Sequence, residues 1–392
     1  MDWRRRSYHG PARFDEGGEI ARARGDRTPA MLGARRMDAE RTHVAQLAAI
    51  TAAGGPYTAF AVIRLARRGQ TRNGKPFFEI RLADRSRTLG GKIWSDHGRA
   101  MAAAEELTVG DHVKVLFDVE EYKGALQLSI KGLRAAGPGE PDYDPEALVD
   151  EAHALVADLL CDVLVFDIET VPAVDLRKAP PTIAQAVTKH AERNEWDQTK
   201  VMSLSPYFGQ VVSLAVGDGD QDPRTQDVTV FAVPPVHGPA IDTTHQPSWI
   251  RMVTEQELLR AFWALAASAN VVVTYNGRGF DLPFLIIRSL IHEIPVKVDL
   301  MSAPYSLRPH LDLFHVLAGG SGQSRGPSSL DVVCWALGLA SPKEAMDGSM
   351  VATAYAKGDL GQIALYNAGD VRATTGVYQR VRDGLLRWRD DW

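Results

Sequence analysis

Apolar and polar positions alternate in short runs from Tyr57 onward, and the period of the alternation changes along the chain. In "FFEIRLADRS", Phe78, Ile80 and Leu82 interleave with Glu79 and Arg81, the two-residue period of a half-buried strand. The turn "RNGKP" separates this run from a similar one, "AFAVIRLARRGQ", and "RTLGGKIW" follows it. "HGRAMAAAEEL" carries a helical period, and two further strands, "DHVKVLFDVEEY" and "GALQLSIKGLRA", join through Lys123-Gly124. Beyond the linker "AAGPGEPDYDP" the elements lengthen. One continuous helix is predicted over "PEALVDEAHALVADLL". Strands ("DVLVFDIET", "GQVVSLAVGD", "DVTVFAV", "NVVVTYN") then alternate with helices ("TEQELLRAFWALAA", "DLPFLIIRSLIH", "SSLDVVCWALG" and a long one from "DLGQIALYNAGDV" to "LLRW").

Three strands, a helix and two strands in about 80 residues is the order of a five-stranded OB-fold barrel. The predicted organisation is therefore an all-β barrel ahead of an α/β domain. Residues 1–54 form a mostly disordered Arg-rich arm with one short helix in "AERTHVAQLAAI", 55–136 the barrel, 137–160 a linker and helix, and 161–392 the α/β domain. Two polar stretches, roughly 172–206 and 218–250, read as excursions around a mouth rather than core.

Composition sharpens this in two ways. A chain of 392 residues with 45% hydrophobic content is too long for one ordinary core, which fits two domains. The net charge of -5 hides an asymmetry: residues 1–136 carry 24 Lys+Arg against 16 Asp+Glu, and residues 137–392 carry 20 against 33. A basic front and an acidic back suggest that polyanion capture and carboxylate chemistry are divided between domains. Two cysteines, Cys161 and Cys334, sit in apolar contexts and cannot build a disulfide framework. With no long apolar span and an arm too acidic for a transit peptide, a cytoplasmic protein away from membranes is expected.

The candidate chemistry is acidic. Asp167 and Glu169 of "DIET" follow four apolar residues and would emerge on one face of a central strand near its C-terminal end. Two such carboxylates repel each other and are better tolerated with a divalent cation between them. "YNGRGFDLPFLIIRSL" sets Asn276 and Gly277 at a strand end and Phe280-Asp281 at a helix start, where Asp281 suits an N-cap and can still offer an oxygen to a cation. Gly277 and Gly279 would let a polymer backbone approach closely. Tyr366 and Asp370 stand at i and i+4 on one helix face. Asp-x-Glu and Tyr-x-x-x-Asp are each expected on the order of once by chance in such a chain, whereas Asn-x-x-x-Phe-Asp is expected about 0.05 times. Asp312 in "HLDLFHVL" fits a helix cap or a place behind the ligands better than a fifth ligand. The Gly-rich run "GGSGQSRGPSS" reads as a flexible connection before a helix cap at Ser328 or Ser329.

In this order, Asp167-x-Glu169, Asn276-x-x-x-Phe280-Asp281 and Tyr366-x-x-x-Asp370 resemble the three motifs of the DEDD superfamily of 3′→5′ exonucleases. The tyrosine subtype is indicated, because the histidine subtype would place His where Leu365 stands. "FDIET" and "YNGRGFDLPFL" resemble predicted exonucleases related to the proofreading domain of family B DNA polymerases. The resemblance implies a ribonuclease H-like fold and two divalent ions, Mg²⁺ or Mn²⁺, clamping an in-line phosphodiester displacement. It casts Asp167 as the bridge between both ions, Glu169 and Asp370 as completing the first site, Asp281 as holding the second through water, and Tyr366 as orienting the attacking water. Products would be nucleoside 5′-monophosphates.

The barrel resembles that of YhaM-type exoribonucleases, which implies nucleic-acid binding. Arg67, Arg68, Arg72, Lys75 and Lys92 would track the phosphates, with Phe77, Trp94 and Tyr122 as stacking candidates. Phe78 belongs to the core by its register, whereas Trp94 alternates with Ile93 at a strand end and fits either role. Together these readings imply a metal-dependent exonuclease acting on single strands with a free 3′ end, DNA mildly before RNA, alongside repair or replication partners. An exoribonuclease, a non-catalytic nucleic-acid-binding adaptor and a proofreading subunit are the alternatives.

Overall fold

The computed structural model describes residues 41–71, 73–122, 125–149, 152–236, 247–302, 306–319, 326–341, 346–389 and 392. A short strand, β1 (Thr42–His43), pairs in parallel with the start of β2 (Gly54–Gln70). β3 (Pro76–Ala83), β4 (Thr88–Trp94), helix α1 (Gly98–Glu106), β5 (His112–Tyr122) and β6 (Ala125–Ala135) follow. The strands run in the order β2-β3-β4-β6-β5, and β5 pairs back onto β2, so five strands close into a barrel. Alternation decides the sides: Phe78, Ile80 and Leu82 are buried inside, with Ala100, Met101 and Ala104 of α1 in the same core.

Two segments depart from the sequence expectation. The arm expected over residues 1–54 lies largely outside the described residues. From Arg41 its remainder packs on the barrel, where a single 3-10 turn, Leu47–Ala49, stands in place of the expected helix. Leu47 is buried there and its N–H donates to Asp84 Oδ2 at 2.6 Å. The predicted helix over residues 145–160 is broken into α2 (Pro145–Leu148), α3 (His153–Val156) and a 3-10 turn, Ala157–Leu159. Two cores compete for its apolar positions: Leu148 joins Phe60 and Val62 on the barrel, while Val156 joins the core of the α/β domain. The preceding linker is fastened down as well, with Tyr143 Oη 2.8 Å from His112 Nδ1 and its ring 5.0 Å from that of Phe60.

The α/β domain comprises β7 (Val163–Pro172), α4 (Pro181–Asn194), α5 (Gln198–Ser203), β8 (Gly209–Asp218), β9 (Val228–Ala232), β10 (Ile250–Met252), α6 (Glu255–Ser268), β11 (Val271–Thr274), α7 (Asp281–Ile291), β12 (His310–Asp312), α8 (Leu313–Leu317), α9 (Leu330–Leu337), α10 (Val351–Lys357) and α11 (Leu360–Gly384). Its sheet has the order β10-β9-β8-β7-β11-β12, mixed because β8 runs antiparallel to both neighbours. β7 is central and buried on both faces. Leu164, Phe166 and Ile168 pack in the layer that holds Leu258 and Phe262 of α6 and Leu282 and Phe284 of α7. Val163, Val165 and Val171 pack in the layer that holds Ala364, Ala368 and Val371 of α11.

Helices α4 and α5 occupy a stretch read from sequence as a polar excursion. They bury only Val187, Ala191 and Val201, which is too thin a stripe to stand out in the pattern. Across the other layer, Glu255 of α6 accepts from Arg288 of α7 at 2.8 and 2.6 Å, from Val211 N–H at 2.9 Å, and lies 2.8 Å from His292 Nε2. Hydrogen bonding and charge from Arg288 hold its carboxyl below the usual range despite burial. Replacing Arg288 with Leu strands a buried carboxylate, and we expect a loss of about 3–5 kcal/mol in denaturant unfolding, whereas a loss below about 1 kcal/mol would contradict a closed, water-excluded pair.

Candidate active site

β7 carries its alternation straight into the site. After Val163 and Val165, the next positions on that face are Asp167 and Glu169, and a bulge between Glu169 and Thr170 shifts the register with β8 before pairing continues to Pro172. The face is covered by α11, a helix kept small against the sheet by Ala364 and Ala368, and this brings Asp370 down onto β7. Carboxylate oxygens of Asp167, Glu169 and Asp370 all lie within 4.8 Å of one another.

Asp281 reaches the same place from the other side of β7. It is the first residue of α7, behind Phe280 at the N-cap, so the N-cap role expected for it falls one residue earlier. Its Oδ1 instead accepts the N–H of Ile168, between the two acids of β7, at 3.3 Å. Burial pushes the Asp281 carboxyl up to about 7, with Asp312 and Asp370 adding to the rise and backbone N–H groups opposing it. Burial likewise drives Asp167 and Glu169 well above the carboxylate range, reinforced by the neighbouring acids. Tyr366, one turn before Asp370, has its hydroxyl pushed upward by burial and by Asp370, Glu169 and Asp167, so it stays protonated at neutral pH and serves as a hydrogen-bond donor.

The loop between β11 and α7 is held by Asp312 and by two residues the sequence did not single out, His310 and Thr274. Asp312, at the end of β12, accepts the N–H of Asn276 at 2.9 Å, of Arg278 at 3.0 Å and of Phe314 at 3.1 Å. It caps α8, one of the roles expected for it, and orients the loop. Buried His310 faces the Leu300 carbonyl with Nδ1 at 3.2 Å and Thr274 Oγ1 with Nε2 at 2.8 Å, while Thr274 Oγ1 accepts the N–H of Gly277 at 3.2 Å. Burial lowers His310 to about 3, so the ring is neutral, donating from Nδ1 and accepting at Nε2. Asn276 takes a left-handed φ of 64° in this turn.

Gly277 was expected to clear room for a substrate. A Cβ there would lie 2.5 Å from Thr274 Oγ1, so its bareness serves the loop's own packing. Phe280 is half-buried, with its ring 5.6 Å from that of Phe284.

Sequence reasoning also missed Asn367, which is wholly buried beside Tyr366 on α11. Asp167 offers only acceptors while the Ser213 hydroxyl can donate, so the Asn367 amide nitrogen belongs toward Asp167, 3.2 Å from Oδ2 and 3.3 Å from the carbonyl oxygen, with its own oxygen 2.9 Å from Ser213 Oγ. The signal was an Asn one residue from the Tyr of a helical motif, and nothing in the sequence linked it to β7.

On the barrel, Phe77 and Trp94 are cross-strand partners with rings 5.6 Å apart, and Lys92 Nζ lies 5.2 Å from each centroid. Arg67 is in the adjacent row but bonded to Glu79 at 2.6 Å. Arg68 points to the other side of β2, 3.3 Å from Glu105 of α1, and does not join them. Lys75 is exposed at the β2–β3 turn, Tyr122 is 59% exposed at the end of β5, and Arg72 lies outside the described residues. No described helix is long and apolar enough to cross a membrane.

Residues 161–302 match the exonuclease domain of DNA polymerase family B, and residues 241–385 match a predicted 3′–5′ exonuclease family related to the exonuclease domain of PolB. Over 83 residues the chain is 32% identical to the 3′–5′ exoribonuclease YhaM of Bacillus licheniformis, covering 21% of this chain and 25% of that protein. The chain thus spans about a quarter of that relative's length. Among solved structures, the family B DNA polymerase of Pyrobaculum calidifontis is 16% identical with a TM-score of 0.37, over 82% of this chain and 46% of its own. The second OB-fold domain of replication protein A from Methanococcus maripaludis is 17% identical with a TM-score of 0.18, over 22% of this chain and 90% of its own.

Two outcomes follow from this geometry. Carboxyls raised in the folded state bind protons that the unfolded chain has already released, so metal-free stability falls as pH rises from about 4 through about 7. Thermal melts should show that fall, and Mn²⁺ should reverse it at pH 7.5; a metal-free melt insensitive to pH would count against the cluster. Separately, Asn367→Ala removes two donors from Asp167 and should weaken Mn²⁺ binding by calorimetry about tenfold, whereas unchanged affinity would remove Asn367 from the site.

Proposed function

We propose that this chain, which carries an exonuclease domain related to that of family B DNA polymerases, is a metal-dependent 3′→5′ exonuclease acting on single-stranded nucleic acid. The observation that carries the reading is the convergence of Asp167, Glu169 and Asp370 within 4.8 Å, with Asp281 anchored between the two acids of β7. We read the α/β domain, residues 161–392, as ribonuclease H-like and the barrel, residues 55–136, as an OB-fold.

An all-oxygen set of partly buried carboxylates that repel one another fits hard divalent cations, Mg²⁺ or Mn²⁺. Asp167, Glu169 and Asp370 would hold one and Asp281, with Asp167, a second. Bound ions would supply charge neutralisation and Lewis-acid activation at the phosphodiester. The protein's own contribution is positional. Tyr366, held in its protonated form, donates a hydrogen bond that orients the attacking water. The loop from Asn276 to Phe280, fixed by Asp312, receives the terminal nucleotide. The Phe77–Trp94 face, with Lys92 above both rings, offers a stacking surface and a phosphate-seeking charge. We favour DNA over RNA because the matched domains are named for DNA polymerases; the match to an exoribonuclease keeps RNA as the second reading.

A time course on 5′-labelled single-stranded DNA, single-stranded RNA and duplex, with each metal, tests this. Single strands should shorten from the 3′ end with release of nucleoside 5′-monophosphates, fastest on DNA. Asp167→Asn should abolish the reaction and Tyr366→Phe should lower kcat by roughly 10²-fold, the range for a positioned proton-handling group. Intact substrates under all conditions, or an active Asp167→Asn, would refute the proposal.

A further inference from the structure

We propose that the barrel grips the substrate well upstream of the bond being cut, so that efficient cleavage requires a single strand long enough to reach both the carboxylates and the Phe77–Trp94 face. The inference rests on the exonuclease reading and adds to it a length requirement. It comes from where the barrel docks. Arg81 of β3 donates from Nη1 to the Ala269 carbonyl at 3.2 Å, and Arg81, Thr88 and Gly90 share a cleft with Ala267, Val298 and Pro309. Ala269 lies just before β11 and Pro309 just before β12, so the barrel sits at the N-terminal ends of these strands.

The acids occupy the opposite ends. β11 is parallel to β7 with Val271 opposite Val163, so Asp167 and Glu169 lie well beyond it along the strand direction, level with the loop that begins at Asn276. At ~3.3 Å per residue, the stretch from Ala269 to Asn276 spans about 20 Å.

A second approach of the barrel lies near Arg308. Arg308, adjacent to Pro309, stacks 5.0 Å over Trp392 and stands in the field of Arg67, Glu79 and Arg81. On one face of β3 and β4 the alternate rows Arg81–Gly90, Glu79–Lys92 and Phe77–Trp94 follow one another, with the first at the Ala269 contact. On this proposal the stacking face runs along the N-terminal end of the sheet rather than toward the acids. A stacked strand at ~3.4 Å per nucleotide needs roughly six nucleotides to cover 20 Å, and an extended one fewer. Adding an occupied barrel face puts the threshold on the order of ten nucleotides.

The test is kcat/KM for single strands of 4 to 30 nucleotides, measured on the wild type, Trp94→Ala and Lys92→Ala. For the wild type we expect a rise of about tenfold across roughly 6–12 nucleotides and a plateau beyond, and in both variants a long-to-short ratio that falls toward one. Length-dependent anisotropy with Asp167→Asn should break at the same place. An active enzyme with a flat profile, or variants that slow every length by the same factor, would overturn the spacing while leaving the exonuclease reading intact. No cleavage at any length would overturn both.

Discussion

Four carboxylates are pressed together around the middle of one central strand, and their mutual repulsion is the constraint around which the α/β domain is arranged. Asp167 and Glu169 project from β7 toward α11, Asp370 comes back from α11, and Asp281 enters from the far side at the start of α7. Burial and like charge both disfavour their ionised forms. Such an arrangement persists only on a rigid support, and that support is the apolar stretch Val163–Phe166, packed on both faces.

Around the acids the structure supplies groups that hold without reacting. Asn367 ties Asp167 to Ser213, so α11, β7 and β8 are joined at the point of greatest repulsion. Asp312 and the Thr274–His310 pair hold the loop that leads into Asp281. Glu255 and Arg288 lock α6 to α7, which carries Asp281 at its first position. Each link places a backbone or side-chain group that a change several residues away would move.

The sequence showed the site more clearly than its supports. Asp167, Glu169, Asp281, Tyr366 and Asp370 stood out because their spacing on a strand, a helix start and a helix face survives in one dimension, and the structure brings Asp167, Glu169 and Asp370 together. Asn367, His310 and Thr274 were not, because their partners lie far off in sequence and an Asn, His or Thr in an apolar context has no distinctive pattern. At Gly277 the structure adds a constraint that the sequence did not show, since a Cβ there would meet Thr274 Oγ1. The alternating strands of the barrel were plain, but α4 and α5 bury too little, and the helix expected over residues 145–160 is split between two cores that no local pattern separates. Which residues of the barrel share a face also needed the register, since Arg67 and Arg68 are neighbours in sequence and point to opposite sides of β2.

The central claim is that these carboxylates are a cation site. Crystals grown with Mn²⁺ and measured at a wavelength where manganese scatters anomalously test it directly. The account predicts anomalous density between Asp167, Glu169 and Asp370, absent in Asp167→Asn. Ordered crystals of the wild type with no anomalous density at those carboxylates, or with manganese bound only elsewhere, would contradict it.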